Sequence, residues 1–140
     1  MTMKIVKNNV WTYYIGNDDM LDDTKCGKWM YFYDDILKAK DVCKRAVEEN
    51  IVYESKHSNK NNDGVACFYL NANDMDNHKR VIQFFLDNGL IPKTKSGRYF
   101  NISFKLDSQT HNNEYGSYYK SNIKLEDFID LNTGEWKNQE

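Results

Sequence analysis

The chain has 140 residues, a formal net charge of -2 and a hydrophobic content of 40%, with ten tyrosines and a single proline. That length suffices for one domain with one core and is too short for two ordinary ones, so a single globular domain over residues 1–140 is expected. The near balance of 19 basic against 21 acidic side chains excludes attachment to duplex nucleic acid by bulk charge, and equally excludes an acidic mimic of nucleic acid, while leaving room for a local basic patch.

Three cysteines, Cys26, Cys43 and Cys67, stand far apart without a CxxC pair, so neither a disulfide framework nor a structural metal is expected, and nothing in the sequence calls for a cofactor. The first residues, Met1 to Val6, hold no sustained apolar run or cleavage site, and no segment approaches membrane-spanning length. The expectation is a cytoplasmic protein in a reducing compartment, without a membrane partner.

In chain order, Lys4 to Tyr14 alternates only in part and reads as an irregular edge strand or a hairpin. Residues 16–25 are acidic and loop-like. Lys28-Trp29-Met30-Tyr31-Phe32-Tyr33 is an aromatic strand closed by Asp34 and Asp35, one of which caps the next helix. That helix, Ile36 to Glu49, sets Ile36, Ala39, Val42, Cys43, Ala46 and Val47 on one face and its charges on the other. Ile51 to Lys56 reads as a third strand, and Ser58 to Gly64 as a polar hairpin turn.

Val65 to Leu70 is too short for a helix and apolar on both faces, with Val65, Cys67 and Tyr69 against Ala66, Phe68 and Leu70. This predicts a central strand covered on both sides. Asp74 caps a helix running to Asn88, whose apolar side holds Val81, Ile82, Phe85 and Leu86, with Met75 and His78 in line. Gly89 ends it in the left-handed conformation and lets Leu90 fold back toward Phe85. Arg98 to Leu106 alternates as a half-buried strand; Tyr118 and Tyr119, then Ile123 to Ile129, read as late strands, and Asn132-Thr133-Gly134 as a turn returning Trp136 to the body. Strands interrupted by two helices, with hairpin-length turns, give an α+β fold: a curved, mostly antiparallel sheet with two main helices packed chiefly on one face.

The run Gly27-Lys28-Trp29-Met30-Tyr31-Phe32 is followed by a helix, a strand, a basic hairpin, an apolar strand, a long helix and another strand. Over roughly Trp11 to Leu106 this order resembles the fold of the mRNA cap-binding translation initiation factors and of bacterial domains sharing it. The resemblance implies that Trp11, ahead of the Gly-basic-Trp strand, stacks on a base. It implies that Lys56 and Lys60, with His57 between them, grip phosphates. Thr12 follows Trp11 where the family carries a glutamate.

Trp11, Tyr13 and Tyr14 are candidates for a stacking platform, each stacked base contributing on the order of 1–3 kcal/mol, while Trp29 is expected in the core. Lys56, His57 and Lys60, with Lys93, Lys95 and Arg98, form two basic turns that a folded sheet can bring to one edge as a phosphate-binding rim. The polar stretch from Asp107 to Tyr115 is the place where a histidine, His111, stands near two carboxylates, Asp107 and Glu114, the composition of a general base with an orienting acid. His78 and Cys67 read as core residues.

Three functions fit these residues. The first is a non-enzymatic module binding a nucleotide, an RNA end or a protein partner through Trp11, Lys56, His57, Lys60 and Arg98. The second, suggested by small size and a composition rich in Asn, Lys, Asp and Tyr, is a protein of a phage or mobile element that blocks a host protein. The third is an enzyme of nucleotide or phosphate chemistry centred on His111. Oligomeric state is left open by all three.

Overall fold

The computed structural model describes residues 3–107 and 123–137. An antiparallel hairpin comes first, β1 (Lys4–Lys7) and β2 (Trp11–Ile15). Its turn is held by Asn8, whose side-chain oxygen accepts from the backbone N–H groups of Val10 and Trp11, both at 2.8 Å. Next come β3 (Cys26–Tyr33), α1 (Ile36–Glu48), β4 (Glu54–Ser58), β5 (Gly64–Asn71), α2 (Met75–Asn88) and β6 (Lys105–Leu106). The strands lie side by side in the order β1-β2-β4-β5-β3-β6, every neighbouring pair antiparallel, so the fold is α+β with an open antiparallel sheet, as expected.

Since β3 and β4 both flank β5, while β5 and β6 both flank β3, the path from β3 to β6 is a pair of interlocked split β-α-β units. The hairpin β1-β2 extends this sheet beyond β4.

Alternation decides what each strand gives to the core. Ala66, Phe68 and Leu70 of β5, Trp29 and Tyr33 of β3 and Tyr14 of β2 are buried together with Ala39, Val42, Cys43, Ala46 and Val47 of α1 and Val81, Ile82, Phe84 and Phe85 of α2. The Phe68 and Phe85 rings meet edge to face at 5.1 Å, and the Ser55 hydroxyl of β4 donates to the Cys43 carbonyl of α1 at 2.8 Å. On the opposite face of β5, Cys67 and Tyr69 are buried too, with the Lys28 and Lys56 ammonium groups over the Tyr69 ring. α1 and α2 therefore cover one face of the sheet, and on the other the long Lys28 and Lys56 side chains reach over Tyr69.

Helix ends follow local chemistry. Asp35 accepts from the Leu37 amide at 2.9 Å and Asp74 from the Asn77 amide at 3.1 Å, satisfying first-turn N–H groups that have no partner within the helix. Gly89 has φ of 66°, and the Leu90 amide reaches the Phe85 carbonyl at 2.9 Å. Met75 departs from the reading of an apolar helix side: it is exposed, while Phe84 joins the core in addition to the expected positions.

Three strand expectations are corrected. The third strand begins at Glu54, not Ile51, because the amides of Ile51 and Val52 return to the Ala46 carbonyl and close α1 instead of joining a ladder. Only Lys105 and Leu106 of the alternating run from Arg98 pair with β3. The amides before them go elsewhere, Tyr99 to Leu131, Phe100 to Pro92, Ile102 to Phe100 and Phe104 to Ile123. Residues 123–129 likewise give a one-turn 3-10 helix, Leu125–Asp127, whose Leu125 is buried together with Phe128 and Ile129 at i, i+3 and i+4. Trp136 does return to the body, bridging Ile129 and donating its indole N–H to Gln83 of α2 at 2.9 Å. Tyr118 and Tyr119 lie outside the described residues.

Candidate ligand site on the sheet face opposite α1 and α2

Residues directly opposite one another in a sheet share a face, and residues two apart in a strand do as well. The register pairs Trp11 with Ser58, Tyr13 with Lys56 and Ile15 with Glu54, then Lys56 with Cys67, Glu54 with Tyr69, and Tyr69 with Lys28. Trp11, Tyr13, Lys56, Glu54, Tyr69 and Lys28 thus project from one face of the sheet, the one away from the helices.

Their centre is Lys56. Its ammonium nitrogen stands 4.0 Å from the centroid of the Trp11 ring, 5.5 Å from that of Tyr13 and 5.8 Å from that of Tyr69. Three aromatic rings around one ammonium make a cation–π cluster, each such contact contributing about 0.5–2 kcal/mol according to its exposure. Trp11, Tyr13 and Lys56 are half-buried, so the cluster is accessible from solvent. Lys28 lies 5.9 Å from the Tyr69 ring and forms an ion pair with Asp107 at 2.8 Å.

Burial shifts several titrating groups on this face toward their neutral forms. The Cys26 thiol is pushed up to about 12 by burial and by Asp107, and burial also raises Cys67 and Tyr69. Burial raises Glu54, Asp18 adds to the effect and Lys56 opposes it. Thiols held protonated are poor nucleophiles. What the face offers is flat aromatic surface beside a fixed positive charge, the two elements that hold a base and its phosphate.

The sequence candidates separate as follows. Trp11 and Lys56 are brought into contact. Lys60 is exposed in the turn just beyond Ser58, the pairing partner of Trp11, and its carbonyl accepts from the Tyr33 hydroxyl at 2.7 Å. His57, placed by sequence with Lys56 and Lys60, points to the other face: it is fully buried, 2.8 Å from the Ser58 carbonyl and 3.1 Å from the Tyr14 hydroxyl. Tyr14 leaves the proposed platform for the same reason, since neighbours in a strand face opposite ways. Arg98 lines a cleft of about 210 Å³ whose other described residues come from 94–101, Glu126 and Leu131, so it does not share the cluster's surface. Lys93 is engaged with Tyr99, its ammonium 4.8 Å from that ring.

Asp107 is the ion-pair partner of Lys28; His111 and Glu114 lie outside the described residues. Lys28, Tyr69 and Glu54 were missed from sequence as members of this surface. The signal was the two-residue spacing of Glu54 with Lys56 and of Cys67 with Tyr69, once the strands are set in register.

A cavity of about 550 Å³ opens at the start of α2, between Thr24, Lys25, Ala72, Asn73, Met75 and Leu106. Its described lining shares no residue with the Trp11 cluster and, among the described residues, sets no aromatic ring beside its one cationic side chain, Lys25, so we place the candidate site on the sheet face. Among the described residues no group of three His, Cys, Asp or Glu side chains is arranged to hold a metal ion, and no helix is long and apolar enough to cross a membrane.

Compared with known proteins, the chain matches no family model and no curated sequence. The functional reading therefore rests on the geometry of this face.

Proposed function

We propose that the protein is a non-enzymatic binding module that holds a nucleotide or an RNA end on the face of its sheet opposite α1 and α2. Trp11 stacks on the base, Lys56 meets a phosphate, and Lys60 in the adjoining turn adds positive charge to the rim. The observation that carries this reading is the Lys56 ammonium 4.0 Å from the Trp11 ring on an accessible sheet face. Stacking and charge together are how sheet surfaces hold single nucleotides without a dedicated cavity. The resemblance to the cap-binding fold is part of the proposal: the element order on which it rests, from the aromatic strand through both helices, is that of β3 to β6. Three free thiols suit the reducing cytoplasm in which we place the protein.

The test is tryptophan fluorescence and thermal melting against nucleoside mono- and diphosphates and short RNAs, with Trp11→Ala alongside. The expected result is a saturable quench and a raised melting temperature, both lost in Trp11→Ala while its circular dichroism stays that of the parent. No response to any member of the panel, or an unchanged response in Trp11→Ala, overturns the reading.

A further inference from the structure

The proposed site carries its own cation, and this has a bearing on which bases it accepts. Resting on the reading above, we infer that Lys56 makes the site select a neutral nucleobase bearing phosphate over a base with a fixed positive charge.

The aromatic faces that would attract a cationic base are those of Trp11, Tyr13 and Tyr69, and the Lys56 ammonium is placed against all three, at 4.0, 5.5 and 5.8 Å. Any base stacked on Trp11 must share the ring with that ammonium or displace it, and a cationic base that shares it meets like-charge repulsion in addition. A neutral base loses nothing to repulsion, and its phosphate gains an ammonium partner.

The carboxylates on the same face do not reverse this. Asp107 is paired with Lys28 at 2.8 Å. Glu54 stands opposite Ile15, one row removed from the Tyr13–Lys56 pair, and its burial favours the uncharged acid. Thr12, next to Trp11 in the chain, points to the other face, where its hydroxyl donates to Asn59 at 2.6 Å. Among the described residues, the charge set directly against the indole is the Lys56 ammonium.

The experiment compares guanosine 5′-diphosphate with its 7-methylated form, which has the same outline plus one methyl group and a fixed positive charge on the base. Calorimetry or fluorescence titration is run on the parent protein, on Lys56→Met and on Lys56→Gln. The parent is expected to bind the neutral nucleotide about fivefold or more tightly, the ratio given by like charges a few ångströms apart in water. In both variants the ratio is expected to fall toward one, with weaker binding of the neutral nucleotide. Equal or tighter binding of the methylated nucleotide by the parent overturns the inference while leaving nucleotide binding in place. An unchanged ratio in the variants also overturns it, by assigning selectivity to shape. Failure of the parent to bind either nucleotide overturns the inference, and the binding reading falls with it when the wider panel of nucleotides and RNAs is silent too.

Discussion

Trp11 and Trp29 show how one residue type is spent in two ways. Trp29 is fully buried, and its indole N–H donates to His78 Nδ1 at 3.0 Å; His78 Nε2 then faces the Ala72 carbonyl at 2.9 Å. The expectation that Trp29 belongs to the core follows from its place in an aromatic strand, and His78 was legible as a core residue from helical spacing. His57 was not read correctly, because adjacency to Lys56 and Lys60 in sequence was taken for adjacency in space, whereas strand alternation sends it to the opposite face. The contrast can be measured. Trp29→Phe leaves a buried His78 nitrogen without its donor and a gap where the larger ring was, and should lower stability by about 2–3 kcal/mol in urea unfolding. Trp11→Phe keeps an aromatic ring on a half-exposed face and should change stability by less than about 1 kcal/mol. Equal losses for the two would show that Trp11 is a core residue and not a surface for ligand.

Elements with local causes were legible. Caps at Asp35, Asp74 and Gly89 depend on residues within one turn, and both helices begin and end within a residue or two of the expected places. The run from Arg98 to Leu106 was not legible, because alternation states only that a segment can pair. Whether it does depends on an open sheet edge, and that edge, β3, accepts just Lys105 and Leu106. Gly27 ties the two together. A Cβ built at Gly27 would lie 2.5 Å from the Phe104 ring and 2.6 Å from the Lys105 carbonyl oxygen, so the glycine that opens the aromatic strand is required by the close approach of β6. Gly27→Ala must push that carbonyl and ring away, at a cost of about 1–3 kcal/mol. Hydrogen exchange should show loss of protection concentrated at Gly27, Lys28 and residues 104–106, with the hairpin β1-β2 unaffected. Uniform loss across the sheet would mean that β6 is not a separable edge.

For the whole molecule, α1 and α2 pack on the sheet face opposite the Trp11 cluster, and they place both described histidines in the core, where pH acts on stability. His57 Nδ1 faces a carbonyl and so bears the hydrogen, which leaves Nε2 to accept from the Tyr14 hydroxyl. His78 Nε2 faces a carbonyl as well, and Nδ1 accepts from an indole N–H that can only donate. A second proton on His78 would set two N–H groups against each other. Burial lowers both histidines below the ordinary 6.5; Lys40 and Lys7 add to this at His57 against the Ser58 carbonyl, while the Ala72 carbonyl and Asp74 oppose it at His78. Between the folded values and 6.5 the unfolded chain holds protons that the folded chain lacks, so stability rises with pH across that window. It is fully present above 6.5 and is lost as pH falls through it. Glu54 has the opposite sign: raised above 4.5, it binds a proton more readily in the folded state and offsets part of the loss only at the acid end. The melting temperature should therefore hold nearly level from about pH 7.5 to about the ordinary histidine value of 6.5 and fall from there to about pH 5.5. The fall should be smaller in His78→Asn, whose side-chain oxygen can still accept from Trp29 but cannot titrate. A flat or rising melting temperature across this range in the parent protein would show that the histidines carry their charge inside the fold, and that the tautomers assigned here are wrong.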